Sequence, residues 1–181
     1  MLLSACGSIG PSGLAALARL DPLNSPAGSL AVAISVPENL LLSDGDAALT
    51  LAFSPHDKAQ AAPVSTTLPL TIRTGADAPL ARSAGRKVYV LGLSVGDAAR
   101  FRRTQATIRS LRENAVHGQG SLQVSVTGGC LIRPLGEALP VATCLRPDPS
   151  AAFIPLTRET DLFDVLNTTE ARALRARLGS C

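Results

Sequence analysis

Residues 29–36 (SLAVAISV) alternate without a break, with Leu30, Val32, Ile34 and Val36 on one side and Ser29, Ala31, Ala33 and Ser35 on the other. A repeat of two residues is the mark of a β-strand with one face buried, because successive side chains of a strand point to opposite faces. The same period returns in residues 47–53 (Leu49, Leu51, Phe53), 64–73 (Leu68, Leu70, Ile72) and 121–127 (Leu122, Val124, Val126). Ser43-Asp44-Gly45-Asp46 reads as the turn between the first two of these strands. Pro69 inside the third predicts an edge position, since proline cannot donate to a ladder. Residues 86–93 (RKVYVLGL) are more continuously apolar and predict a central strand. Further on, residues 130–133 and 141–145 read as a hairpin and residues 152–156 as a short strand, while 54–63 and 74–85 read as exposed loops.

The period changes after Gly96. Phe101, Thr104, Ile108 and Leu111 fall at three- and four-residue spacing, which predicts an amphipathic helix over residues 97–114 with Asp97 as its cap, packed across the sheet. Gly118-Gln119-Gly120 is read as the turn that leaves it. A second helix closes the chain, with Thr168 as cap, Leu174 and Leu178 on one face and Gly179 at the stop position. Alternating strands, one helix, more short strands and a terminal helix make a mostly β (α+β) plan. The expected fold is a β-sandwich-like arrangement of antiparallel sheets with one inserted amphipathic helix and a C-terminal helix.

Such a plan needs a core, and 181 residues with 46% hydrophobic content supply one. Trp is absent, Tyr89 is the one tyrosine and four phenylalanines are present, so the core is built from Val, Leu, Ile and Ala. The lack of aromatic rings argues against a carbohydrate-binding or single-strand nucleic-acid platform, both of which stack rings on their ligand. A net charge of +3 does not by itself call for a nucleic-acid partner.

Near the N-terminus stands Leu3-Ser4-Ala5-Cys6, followed by Gly7-Ser8. This resembles the lipobox of bacterial lipoproteins, of the uncharacterised small envelope-lipoprotein kind. The resemblance covers residues 3–8 and implies that Cys6 is diacylated and becomes the mature N-terminus. Gly7 in place of Asp implies delivery to the periplasmic face of the outer membrane. A basic and an apolar region of a signal peptide are expected upstream of residue 1. On this reading residues 1–6 are the remnant of signal peptide and lipobox, 7–27 a flexible tether, and 28–181 a single β-rich domain. The expected contacts are the membrane, through the acyl chains, and an envelope protein or polymer, with no nucleic acid. A spurious lipobox would instead leave a cytoplasmic protein.

With Cys6 assigned to lipid, Cys130, Cys144 and Cys181 remain, enough for one intrachain disulfide. Cys130 and Cys144, at the ends of the two runs of the expected hairpin, are the favoured pair. Cys181 is an alternative partner for Cys130 or an exposed odd thiol, and free buried thiols fit a cytoplasmic location.

No residue set calls for catalysis, a cofactor or a metal. His56 and His117 fall in expected loops, without the spacing of zinc ligands. Cys130 after Gly128-Gly129 could serve as a nucleophile with His117 as base only if its thiol were free. Asp44 and Asp46 resemble a fragment of a calcium loop, but read better as a plain turn. Glu159, Asp161 and Asp164 could form an acid–base pair, although carboxylates before a helix commonly cap it. One candidate contact surface stands out: Arg100, Arg102, Arg103, Arg109 and Arg112 on the helix could meet an anionic partner such as lipid or lipopolysaccharide phosphate. The functional expectation is a lipid-anchored, non-enzymatic binding or structural component. The alternative is a carrier of a lipid or small apolar ligand, and a hydrolase ranks third.

Overall fold

The alternating segments become strands in the computed structural model, which describes residues 21–74 and 84–181. The chain runs β1 (Ala31–Pro37), β2 (Leu40–Leu41), β3 (Ala47–Pro55), β4 (Val64–Pro69), β5 (Thr71–Ile72), β6 (Arg86–Gly92), α1 (Val95–Glu113), β7 (Gly118–Val126), β8 (Gly129–Leu131), β9 (Pro140–Arg146), β10 (Ile154–Asp161), α2 (Leu162–Val165), α3 (Thr168–Arg177) and β11 (Leu178–Ser180). The fold is mostly β, as the two-residue period predicts.

Among the described residues the strands form three sheets, ordered β10-β9-β1-β6-β5, β4-β3-β7 and β11-β8-β2. The first two are antiparallel throughout. In the second, the register Leu49↔Leu68 and Leu49↔Val124, with Leu51↔Leu122, gathers the apolar residues of three strands on one face. Thr50 and Thr67, which share a hydrogen bond at 2.9 Å, lie on the opposite and exposed face. The apolar face joins Val32, Ile34, Leu91 and Leu145 of the five-stranded sheet in one buried cluster.

Residues 64–73, expected as one strand, serve two sheets. β4 pairs with β3 and β5 with β6. Leu70 sits at the corner, donating its N–H to Ala47 and accepting from Gly45. A strand that passes from one layer to the next closes a sandwich corner, and Pro69 stands at the bend on an edge strand, as anticipated.

α1 packs on β4 and β3. It buries Ala98, Phe101, Thr104, Gln105 and Ile108, and Thr104 shares a 2.7 Å hydrogen bond with Thr66 of β4. The cap is Ser94 rather than Asp97: Ser94 Oγ accepts from the Asp97 N–H, and the Asp97 carboxylate accepts from the Ser94 hydroxyl in return. Asp97 is therefore the third-position member of a capping arrangement. Gly118-Gln119-Gly120 is no turn but the start of β7, pairing with Pro55, Ser54 and Phe53. Only glycine fits at 118, where a Cβ would lie 2.5 Å from the Ser54 carbonyl oxygen and 2.6 Å from Phe53 Cζ.

Residues 21–27, assigned above to a tether, are part of the body. Leu23 and Ala27 are buried. Gln105 donates to the carbonyls of Pro22 (2.7 Å) and Ser25 (2.9 Å), and Arg109 donates to that of Leu23. Buried Gln105 has two backbone acceptors to satisfy it, so this segment is held in place by α1.

The terminal helix begins one residue earlier than expected in its capping. Asn167 accepts from the N–H groups of Thr169 and Glu170, and the Glu170 carboxylate returns a bond to the Asn167 N–H. Asn167→Ala is expected to lower stability by about 1 kcal/mol, read as a shift of the urea midpoint at unchanged slope. The helix ends at Arg177 with Leu178 as its C-cap, so Gly179 stands at the stop position as expected, and the chain there adds β11 in parallel beside β8.

Candidate functional site

The anticipated hairpin of 130–133 with 141–145 does not form, and with it falls the Cys130–Cys144 pairing. β8 lies between β2 and β11, whereas β9 lies between β1 and β10 in another sheet. Asn39 holds the end of β8 on the β2 side by donating to the carbonyls of Arg133 and Pro134, and Arg133 pairs with Glu38 at 2.8 Å. Cys130 is instead bonded to Cys181, with the two Cα atoms 5.0 Å apart. The register Gly179↔Cys130 brings the chain end alongside. Cys181 is therefore not an odd thiol. Cys144 is fully buried and is not a free thiol either. With its sulfur in a disulfide, Cys130 has no thiolate to act as a nucleophile.

The remaining titratable candidates are dispersed. His56 and His117 are both exposed, and meet through backbone only, the His56 N–H donating to the His117 carbonyl at 2.9 Å. The Asp44 and Asp46 carboxylates accept from the N–H groups of Ile72 and Ser43, which fixes the turn. Asp161 caps α2 through Phe163 and also accepts from the Leu139 N–H, so it ties the helix to β9. Asp164 sits in the first turn of α2. Glu159 pairs at 3.5 Å with Arg86. Arg86 also donates to the Ser35 hydroxyl, the Ser35 carbonyl and the Pro140 carbonyl, which straps β6, β1, β9 and β10 together. Burial pushes its pKa below the ordinary arginine value, and the Glu159 carboxylate offsets part of that. Among the described residues no three His, Cys, Asp or Glu side chains are close enough to hold a metal ion, and no helix is long and apolar enough to cross a membrane.

Of the five arginines on α1, three are engaged within the fold. Arg100 pairs with Asp97 at 3.1 Å, Arg109 holds the Leu23 carbonyl, and Arg112 lies over the Phe53 ring at 5.7 Å. Arg102 and Arg103 are exposed with no ion-pair partner among the described residues. Two exposed guanidinium groups make a weak anion surface, because each is fully solvated and screened by salt. Cys6 lies outside the described residues.

What the sequence reading missed is a cleft of about 510 Å³. Its one wall is residues 122–126 of β7, and the other is formed by Val141 and Thr143 of β9 with Leu156, Thr157 and Thr160 of β10. Leu162, Val165 and Leu166 close it through α2, with the Leu162 N–H anchored on the Leu139 carbonyl at 2.8 Å. Among the described residues the lining is mainly apolar and holds no charged side chain; its polar groups are Gln123, Ser125 and three threonines. Val165 is 63% exposed beside it, one of three large apolar side chains left open to solvent among the described residues. The volume falls in the range of small-ligand sites, which are mainly apolar with a few polar groups that fix orientation. Comparison with protein-family models, curated proteins and solved structures finds no match to this chain.

Proposed function

We propose that this protein is a non-enzymatic binding component of a bacterial envelope, held at the periplasmic face of the outer membrane by acylated Cys6, and that it binds through the cleft between β7 and β9–β10. The cleft carries the reading: a largely apolar recess of ligand size beside exposed Val165. Anchoring rests on the lipobox resemblance of Leu3-Ser4-Ala5-Cys6. The Cys130–Cys181 disulfide supports the oxidising compartment and not the anchor itself, since such bonds persist in places such as the periplasm. Cys144, which is not a free thiol, competes with the acyl chains for Cys6, the one cysteine of the four left over. A carrier of a lipid or small apolar ligand is the second reading, favoured by the apolar side chains of the lining. The hydrolase reading loses Cys130 as its nucleophile.

Two measurements test this. The neutral dye N-phenyl-1-naphthylamine is expected to gain fluorescence on the protein, and Leu156→Arg to abolish the gain, because an unpaired charge in an apolar recess is costly. Equal signals from both proteins would remove the cleft as the binding site. Intact mass of the product of the upstream-extended gene, expressed in a Gram-negative host, should show cleavage before Cys6 and added acyl mass. An unprocessed chain with the Cys6 sulfur in a disulfide would overturn the anchor, because one sulfur cannot carry both bonds.

A further inference from the structure

The sheet edges of this fold are blunted, with one exception. β4 carries Pro69 and is packed against α1; β5 and β2 are two residues long and β11 three. β10 holds Pro155 and its ladder shifts register twice. Such devices stop a strand from pairing with a foreign chain. β7 has none of them. It runs nine residues (GQGSLQVSV) in unbroken register with β3, with no proline, charge or bulge, and no strand pairs with its other side among the described residues.

The ladder defines what that edge offers. The His56 N–H donates to the His117 carbonyl and the Thr127 N–H to the Asp46 carbonyl, at the two ends of the β3–β7 register. Antiparallel pairing alternates between bonded and non-bonded pairs. The odd-numbered residues of β7 therefore bond β3, and Leu122, Val124 and Val126 turn their N–H and C=O groups outward. Residues 122–126 line the cleft. The recess is thus the place a fourth strand of the β4-β3-β7 sheet would occupy, roofing Val141, Thr143 and Leu156.

We infer that the cleft receives an extended peptide segment of a partner protein, added as a strand beside β7. This rests on the binding role proposed above and names the ligand class. Residues 122–126 span about 17 Å, so the contact takes about five partner residues. Alternate side chains of that segment enter the recess and are apolar, matching the apolar side chains that line it, Leu122, Val124, Val141 and Leu156 among them.

The test uses an array of blocked peptides of about eight residues with Val, Ile, Leu or Phe at alternate positions, read by fluorescence anisotropy on the intact protein. Binding is expected for a subset. N-methylation of residues in one alternation of a bound peptide should weaken it about tenfold per N–H removed, and in the other alternation it should have little effect. Val124→Pro removes an outward N–H that β3 does not use, so it should keep the fold, as read by circular dichroism, while losing peptide affinity at least as strongly. Dye binding without peptide binding, or peptides indifferent to N-methylation, would overturn strand addition and leave the cleft as a small-ligand site. Binding of neither dye nor peptide would overturn both readings.

Discussion

Cys181→Ser is expected to destabilise the protein by about 4 kcal/mol. The Cys130–Cys181 bond spans 51 residues, and cross-linking a loop of that length removes denatured-state entropy worth about that much in the chain-entropy account. The native side adds to the dependence. β11 is three residues long and pairs in parallel with β8 alone, so without the bond little holds it in place. Cys130→Ser should cost the same, and the double variant no more than either single one, because the two residues make one interaction. Urea unfolding of the variants checks this; reductant does not, since Cys144 is also not a free thiol. A loss below about 1 kcal/mol would mean that β11 and α3 are held by packing of Leu174 and Leu178 alone.

Strand content was legible because the period of two survives in the sequence wherever one face is buried. Leu49, Leu51 and Phe53 point inward as their spacing requires, and so do Phe101, Thr104 and Ile108 on α1. Sheet membership was not legible. Cys130 and Cys144 sit in strands close in sequence, but which sheet each joins is decided by contacts with Asn39, Leu41 and Ala33, far away along the chain. Local periodicity carries no information on such partners. Caps were misplaced by one to three residues because Ser94 and Asp97, or Asn167 and Thr168, are all competent cap types, and tertiary geometry chooses among them.

The cleft stayed hidden for the same reason. Its walls come from residues 122–126, 141–143 and 156–166, and each stretch reads as ordinary strand or helix. One signal was available: β7 is an alternating strand without proline or charge, in a chain whose other edges carry proline, bulges or very short lengths. A reading for edge protection, as well as for period, would have marked it.

Phe101→Ala is expected to cost about 3–5 kcal/mol. Phe101 is fully buried where α1 meets β4 and β3, so its loss removes the apolar transfer energy and leaves a cavity that a sheet paired on both sides of β3 cannot collapse to fill. Alanine is the better helix former. The substitution therefore strengthens α1 intrinsically, and any net loss reports packing alone. Arg102→Ala, one position along and exposed, should stay within about 0.5 kcal/mol, which separates the buried face from the solvated one on a single helix. Because α1 covers the β4 side of its sheet and the cleft opens at β7, Phe101→Ala should leave naphthylamine affinity unchanged at temperatures well below its lowered melting point. A parallel loss of dye binding would show that the α1 contact also sets the position of β7, through β3, and that cleft and core are one cooperative unit.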